Sequence, residues 1–302
     1  MSSSPPNPRE ALRRLTRSNL LQHVVPDSRF GYDMSAFIPD FRGSSSAVRR
    51  LVELPCYKSA STLLVEPDNC LQELRFQALK DGKKMVVSTY GLRRGFVLLD
   101  PRRIGEEKFE LASLLDGMEK PGLGRNVSWT QLQEEGIRLD LCVAGAVAVT
   151  LAGLRIDKGY GWLDLQWGMF MDRGMLGSAT PVAVVVHSSQ IVRDKPSMSE
   201  LHIKPWDTPC NFIVSPDEVI ETRKYAMPID RILWDKVKPE QLATLPPLQE
   251  LKGIQMMETI MRSSGLPPQP EVPQQKPSDK VPNADELMGI QMVEKIMKGY
   301  KP

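Results

Sequence analysis

Short apolar runs alternate with amphipathic stretches along most of the chain. Apolar runs bounded by turn-forming residues predict buried strands, and apolar residues spaced three and four apart predict amphipathic helices. The predicted strands are residues 62–66, 84–88, 96–99, 139–143 with its small-residue continuation 144–151, 181–186 and 212–214. The predicted helices are residues 9–25, 45–54, 71–80, 163–175 and 248–261. Strands that alternate with helices in this way indicate an α/β fold built on a parallel sheet.

A glycine-containing turn near the middle of the chain is the most distinctive polar feature. Segment 157–161 contains Lys158 and two glycines separated by one residue, Gly159 and Gly161. The apolar stretch that follows carries Asp164. Glycine tolerates positive φ, and N–H groups turned inward at the start of a helix can bind an anion. A carboxylate at Asp164 is placed to hold a divalent cation against phosphate oxygens. On spacing alone, an ordinary turn remains the favoured interpretation.

The N-terminal region combines a Ser/Pro-rich start with a basic helix. Residues 1–8 are predicted to be disordered. In the helix predicted at 9–25, Arg9 and Arg13 are four apart and share one face, as do Arg13 and Arg17. The pattern favours a surface helix with a solvated basic face.

A second polar cluster precedes the last core strand. It contains Glu200, His202 and Asp207 among prolines and a tryptophan. A carboxylate beside histidine is typical either of a metal or phosphate site or of a rigid hydrogen-bonded loop, and the loop is the favoured interpretation.

Composition limits the class of protein. The chain has 302 residues, of which 41% are hydrophobic and 25% charged, enough for one large α/β domain with an appendage or for two small domains. A net charge of +2 favours neither outcome for nucleic acid, but scattered basic residues without interleaved aromatic ones predict no nucleic-acid partner. The four cysteines lack a CxxC spacing, so we expect reduced thiols rather than a zinc site. Without a bilayer-length apolar run or a typical targeting peptide, we expect a cytoplasmic protein without a membrane partner, and a mitochondrial form stays open.

The C-terminal region contains a repeat. The pattern Glu-Leu-x-Gly-Ile-Gln-Met occurs at 250–256 and again at 286–292, with proline-rich sequence between the copies. The second copy is either a drifted duplication or a tethered amphipathic helix that docks on another subunit or a partner. The predicted organisation is a disordered start at 1–8, a domain at 9–262, a linker at 263–283 and an amphipathic helix at 284–302.

Together these motifs resemble the 5-formyltetrahydrofolate cyclo-ligase family (methenyltetrahydrofolate synthetases), in its divergent branch, over residues 9 to 245. The nucleotide-binding signature of that family is Arg-Leu-Gly-basic-Gly-x-Gly-Tyr-Tyr-Asp. The residues that match it are Arg155, Lys158, Gly159, Gly161 and Asp164. Asp157 stands in place of the first glycine, and Trp162 and Leu163 replace the two tyrosines. Further matching stretches are 38–43, 67–68, 82–83, 99–101 and the Trp-Asp-Lys at 234–236.

The resemblance implies a fold and a reaction. The fold is a three-layer α/β sandwich with a mostly parallel sheet, of the NagB/RpiA/CoA transferase type, followed by a helical C-terminal tail. The reaction is the ATP- and Mg²⁺-dependent conversion of 5-formyltetrahydrofolate, a small reduced folate, to 5,10-methenyltetrahydrofolate. In the family the formyl oxygen attacks the γ-phosphate and N10 then closes the ring, which requires positioning and charge neutralisation rather than a covalent nucleophile.

The resemblance also implies roles for individual residues. Lys158 is the catalytic candidate, and Asp164 and Asp207 are the candidate Mg²⁺ ligands. The candidate ATP-binding residues are Arg9, Arg13, Arg155, Lys158, Gly159, Tyr160, Gly161 and Trp162.

One departure favours a different function. The family has a folate-contacting acid near the start of the helix predicted at 71–80, where this chain has Asn69, Cys70 and Gln72, so the acid is missing unless Asp68 or Glu73 replaces it. The alternative is a non-catalytic relative that binds folate or nucleotide, or that acts as an adaptor through its repeated C-terminal helices.

Overall fold

The computed structural model describes residues 7–27, 33, 37–193, 201–222 and 230–263. The helices are α1 (Pro8–Leu20), α2 (Ser44–Val52), α3 (Pro55–Ser59), α4 (Gln72–Lys80), α5 (Phe109–Ser113), α6 (Trp129–Glu134), α7 (Trp162–Asp172), α8 (Pro239–Thr244) and α9 (Pro246–Ser263). The strands are β1 (Thr62–Val65), β2 (Lys84–Ser88), β3 (Phe96–Leu99), β4 (Arg125–Val127), β5 (Leu141–Gly145), β6 (Ala148–Thr150), β7 (Arg155–Ile156), β8 (Val182–Val185), β9 (Ile191–Val192), β10 (Phe212–Val214) and β11 (Val219–Glu221).

Within the described residues, eight strands form one sheet in the order β11-β10-β8-β5-β1-β2-β3-β4. The five strands from β10 to β2 are mutually parallel, and the pairs β10–β11, β2–β3 and β3–β4 are antiparallel. Every residue of β1, β5 and β8 is buried. Such continuous burial is typical of parallel strands covered on both faces. A second sheet has the order β7-β6-β9.

Helices cover both faces of the large sheet. Leu64 of β1 packs into one hydrophobic cluster, whereas its neighbours Leu63 and Val65 pack into another. Because successive side chains of a strand point to opposite faces, the two clusters lie on opposite sides of the sheet. Residues of α6, α7 and α9 contribute to the first cluster, and residues of α2, α4 and α5 contribute to the second. The predicted three-layer sandwich with a mostly parallel sheet is confirmed.

Several predicted boundaries need correction. Helix α1 ends at Leu20, and a single 3₁₀ turn follows at Leu21–His23, so the helix predicted to reach residue 25 is too long. The strand predicted at 139–143 runs from Leu141 to Gly145, and its continuation is the separate strand β6. Helix α7 ends at Asp172 and not at residue 175.

Parts of the predicted organisation lie outside the described residues. These parts are the start of the chain through residue 6, Glu200 of the polar cluster, the linker after Ser263 and the helix at 284–302. The residues through Ile254 form one unit, in which Leu248 and Leu251 of α9 belong to the core. Among the described helices, none combines the length and apolar character needed to cross a bilayer.

Candidate active site

A cavity lies where three adjacent parallel strands end. Glu66 and Asp68 follow β1, Ser88 is the last residue of β2, and Gly145 is the last residue of β5. The carboxyl edge of a parallel sheet is the usual position for a ligand in an α/β protein. This inner cavity is lined by, among others, Glu66, Asp68, Ser88, Gly145, Arg155, Lys158, Trp162 and Gln166.

Two buried carboxyl groups determine the electrostatics of the inner cavity. Burial and the neighbouring Asp68 raise the pKa of Glu66 to about 7, while Arg155 and Lys158 act in the opposite direction. The Ser88 hydroxyl donates a hydrogen bond of 3.3 Å to Glu66. Burial also raises the pKa of Asp68, whose Oδ2 accepts a 2.7 Å bond from the Gly145 N–H. A carboxyl group that keeps its proton near neutral pH can either donate or accept a proton.

Lys158 and Gln166 add polar groups to the same cavity. The Lys158 ammonium lies 4.9 Å from the centroid of the Tyr90 ring, close enough to Asp68 to oppose the rise of its pKa. Gln166 is fully buried and lies close enough to Glu66 to lower the pKa of that carboxyl group, although neither atom of its amide makes a hydrogen bond of ordinary geometry to the described residues. The amide is thus a weak partner of Glu66 and retains hydrogen-bonding capacity for a ligand.

A second cavity lies between α1, the glycine turn and the loop that contains Asp207. The lining of this outer cavity includes Arg9, Arg13, Asp157, Gly159, Tyr160, Gly161, Asp164, Trp206 and Asp207. Asp157 lines both cavities. The glycine turn therefore borders both cavities.

Arginine and aspartate side chains alternate around the outer cavity. Arg9 donates two hydrogen bonds, of 2.8 and 2.6 Å, to the two oxygens of Asp207, which raises the pKa of Arg9. Arg155 lies 3.2 Å from Oδ1 of Asp164, and the Thr208 N–H donates to the same oxygen at 2.8 Å. Burial raises the pKa of Asp164, against the opposing effect of Arg155.

The two aspartates predicted as Mg²⁺ ligands thus face one cavity, but arginine already neutralises each of them. The part of the chain that the structure describes contains no group of three or more His, Cys, Asp or Glu side chains that fits a metal ion. Oδ2 of Asp164 receives no hydrogen bond from the described residues. Mg²⁺ is commonly held by one or two carboxylates together with phosphate oxygens, and the second oxygen of Asp164 fits that mode.

The glycine turn has the backbone conformation of an anion-binding site. Gly159 and Gly161 have φ values of 102° and 65°, and Gly161 caps the N-terminus of α7. The N–H of Gly159 donates to Oδ1 of Asp157 at 2.7 Å, and the N–H of Gly161 donates to Oδ2 at 2.8 Å. Arg13 donates from Nε to the carbonyl oxygen of Asp157 at 2.8 Å. The two N–H groups predicted to bind phosphate are therefore bonded to a carboxylate of the same turn.

The structure divides the predicted ATP-binding residues between the two cavities. Those in the outer cavity are Arg9, Arg13, Gly159, Tyr160 and Gly161, and those in the inner cavity are Arg155, Lys158 and Trp162. The rings of Tyr160 and Trp162 stack across the turn, with centroids 5.6 Å apart. Lys158 thus lies with Arg155 beside the carboxyl pair and not with Arg9 and Arg13.

The sequence left two residues as possible replacements for the folate-contacting acid, and their positions differ. Asp68 lines the inner cavity, whereas Glu73 is exposed in the first turn of α4. Glu66, Ser88 and Gln166 belong to no sequence motif and were not predicted as site residues. The available signal for Glu66 was its position directly after a wholly apolar strand, at the edge of the sheet where ligands bind.

These features define an α/β protein with its candidate site at the carboxyl edge of the sheet. The model of the 5-formyltetrahydrofolate cyclo-ligase family matches residues 9–216, and the chain belongs to this family. The resemblance drawn from the sequence motifs is confirmed.

Similar proteins include methenyltetrahydrofolate synthase domain-containing proteins. The one from Bos taurus is 31% identical over 217 residues, which cover 71% of this chain and 54% of that protein. The one from Homo sapiens is 30% identical over 219 residues, with coverages of 72% and 54%. The chain thus spans about half the length of these curated relatives. A solved 5,10-methenyltetrahydrofolate synthetase from Aquifex aeolicus is 16% identical, with a TM-score of 0.43, over 72% of this chain and 94% of that one.

Proposed function

We propose that the chain catalyses the ATP- and Mg²⁺-dependent conversion of 5-formyltetrahydrofolate to 5,10-methenyltetrahydrofolate, or a closely related ligation. The observation that carries the proposal is the position of Asp68. This carboxyl group lines the inner cavity together with Lys158, at the carboxyl edge of the sheet, and it supplies the acid that is absent at 69–72. Membership of the cyclo-ligase family supports the same assignment.

In this proposal the heterocycle of the reduced folate binds at the inner cavity, whose free volume of about 20 Å³ has to widen to admit it. Asp68 and Glu66 accept hydrogen bonds from the N–H groups of the heterocycle, and the Gln166 amide offers one more donor and acceptor. Lys158 neutralises negative charge that develops near the formyl oxygen. Each of these groups acts by position and charge, which is the form of catalysis that phosphoryl transfer requires.

The outer cavity holds the phosphates. Arg9 and Arg13 reach it from one face of α1, and the second oxygen of Asp164 is the ligand for the cation. Trp206 is 41% exposed there and offers an aromatic surface to a base. When bound, ATP with Mg²⁺ supplies the phosphoryl group that activates the formyl oxygen.

The test is turnover of the purified full chain with 5-formyltetrahydrofolate, ATP and Mg²⁺, followed by the absorbance of the methenyl product. We expect product that depends on ATP, and a loss of at least about tenfold in kcat/KM for Asp68→Asn, because a hydrogen bond to a charged group contributes about 1.5–3 kcal/mol. Glu73→Gln is the control and should retain full activity. No product from the unaltered chain contradicts the proposal.

Two features favour the alternative of a non-catalytic folate- or nucleotide-binding relative or adaptor. One is the carboxylate that fills the glycine turn, and the other is the repeated sequence at 286–292, which suits a docking helix. ATP binding without turnover supports an altered substrate, and binding of neither folate nor ATP supports the adaptor.

A further inference from the structure

Asp157 occupies the place that a phosphate oxygen pair would take in the glycine turn. Its two carboxylate oxygens accept one bond each from the N–H groups of Gly159 and Gly161, at 2.7 and 2.8 Å. Distances of this size are typical of hydrogen bonds to a charged acceptor. Both glycines have positive φ, so their N–H groups point to the same side of the turn, as in a backbone anion site.

We propose that Asp157 is an intramolecular substitute for phosphate: it occupies the two N–H donors of the glycine turn, so that the phosphates of a nucleotide bind elsewhere in the outer cavity, beside Asp164, and not in the turn. The inference rests on the proposed function only in assigning nucleotide phosphates to that cavity. A neutral residue at position 157 converts the turn into an open polyphosphate site.

The reason is competition for the same two donors. Each N–H group can donate one good hydrogen bond, and both are used by the carboxylate. A phosphate group in the turn has to break these bonds and then remain close to a negative charge. Like charges a few ångströms apart in a partly buried site repel strongly.

Arg13 holds Asp157 in this arrangement from the other side. Its Nε donates to the Asp157 carbonyl oxygen at 2.8 Å, and its Nη2 is 3.9 Å from Oδ1 of the same residue. Arg13 also pairs with Glu10 at 3.0 Å, while Arg9 pairs with Asp207. Both α1 arginines of the outer cavity thus already have acidic partners. The glycine turn therefore offers polyphosphate little uncompensated positive charge as long as Asp157 stays in place.

Isothermal titration calorimetry of the full chain with tripolyphosphate, and separately with ATP and Mg²⁺, tests the inference. We expect Asp157→Gly to lower the Kd for both ligands at least about tenfold relative to the unaltered chain. Asp157→Asn, which keeps the shape and removes the charge, should give an intermediate change. Glu106→Gln removes an exposed carboxylate outside both cavities and should leave both Kd values unchanged.

Amide resonances of chain labelled with ¹⁵N-glycine provide a second measurement. Tripolyphosphate should shift the Gly159 and Gly161 resonances in Asp157→Gly and leave them unmoved in the unaltered chain. If Asp157→Gly does not fold, the same measurements are made on Asp157→Asn. Tighter binding of tripolyphosphate by Asp157→Asn than by the unaltered chain then supports the inference. The inference is overturned if the variants bind polyphosphate no more tightly than the unaltered chain.

The two proposals fail in different ways. Turnover by the unaltered chain, with no gain in polyphosphate affinity on substitution of Asp157, overturns the inference and leaves the cyclo-ligase assignment standing. Tighter polyphosphate binding by Asp157→Gly, with no turnover by any form, supports the inference and removes the assignment.

Discussion

Glu66 shows how burial alters the chemistry of a single side chain. Its pKa is raised from an ordinary 4.5 to about 7. The folded state therefore keeps a proton that the unfolded state has lost, and the free energy of unfolding should fall as the pH rises from about 4.5 to about 7. A shift of this size corresponds to about 3 kcal/mol, since one pKa unit is about 1.4 kcal/mol.

Urea denaturation of Glu66→Gln across this pH range checks the prediction. Because the amide does not titrate, the free energy of unfolding of the variant should fall much less as the pH rises. A smaller pH dependence should remain from Asp68, whose pKa is also raised. Glu73→Gln, on the exposed side of α4, should keep the slope of the unaltered chain. An unchanged slope in Glu66→Gln would show that Glu66 ionises normally in the fold.

At the scale of elements, α1 is attached to the outer cavity by its arginines. Arg9 donates two hydrogen bonds to Asp207, which is 5% exposed and also accepts one from the Lys204 N–H. Arg9→Ala leaves that buried carboxylate without its cation, so we expect a loss of about 2–3 kcal/mol of stability. If α1 also contributes to phosphate binding, the KM for ATP should rise while kcat changes less.

Arg14 provides a control on the same helix, because its side chain is 79% exposed. Arg14→Ala should change neither stability nor KM. The double variant Arg9→Ala/Asp207→Ala should lose less stability than the sum of the two single variants, because each single variant leaves one buried charge unpaired. If the loss of stability in the double variant equals the sum of the two single losses, Arg9 and Asp207 are not energetically coupled.

Helices and strands differ in how far the sequence predicts them. The bounds predicted for β2 and β3 agree with the structure because turn residues flank both apolar runs. Helix α6 was not predicted, although a capping box between Ser128 and Gln131 marks its start. Strands β7 and β9 have two residues each, too few for any hydrophobic period to identify them.

At the scale of the whole molecule, the site depends on contacts between distant segments. Arg9 and Asp207 are 198 residues apart in sequence, and Asp68 meets the Gly145 N–H across two neighbouring strands. Motifs identified the glycine turn and the candidate aspartates. They did not lead to the bonds between Asp157 and the turn, although these join residues only two and four apart, as in an Asx turn. That Lys158 faces the carboxyl pair depends on how the turn packs against the end of the sheet, which no local motif shows.

The repeated C-terminal sequence can be tested without disturbing either cavity. The core contacts of α9 are made by Leu248 and Leu251, and α9 ends at Ser263, so deletion of residues 265–302 removes none of these contacts. We therefore expect unchanged folate turnover and an unchanged unfolding midpoint.

If the second copy is a docking helix, the deletion should lower self-association in sedimentation velocity or remove partners captured by the full chain. Replacement of Leu287 and Ile290 by serine in the full-length chain should have the same effect, because it removes two residues of the predicted apolar stripe and keeps the length. If neither change alters self-association or captured partners, the repeat is a drifted duplication.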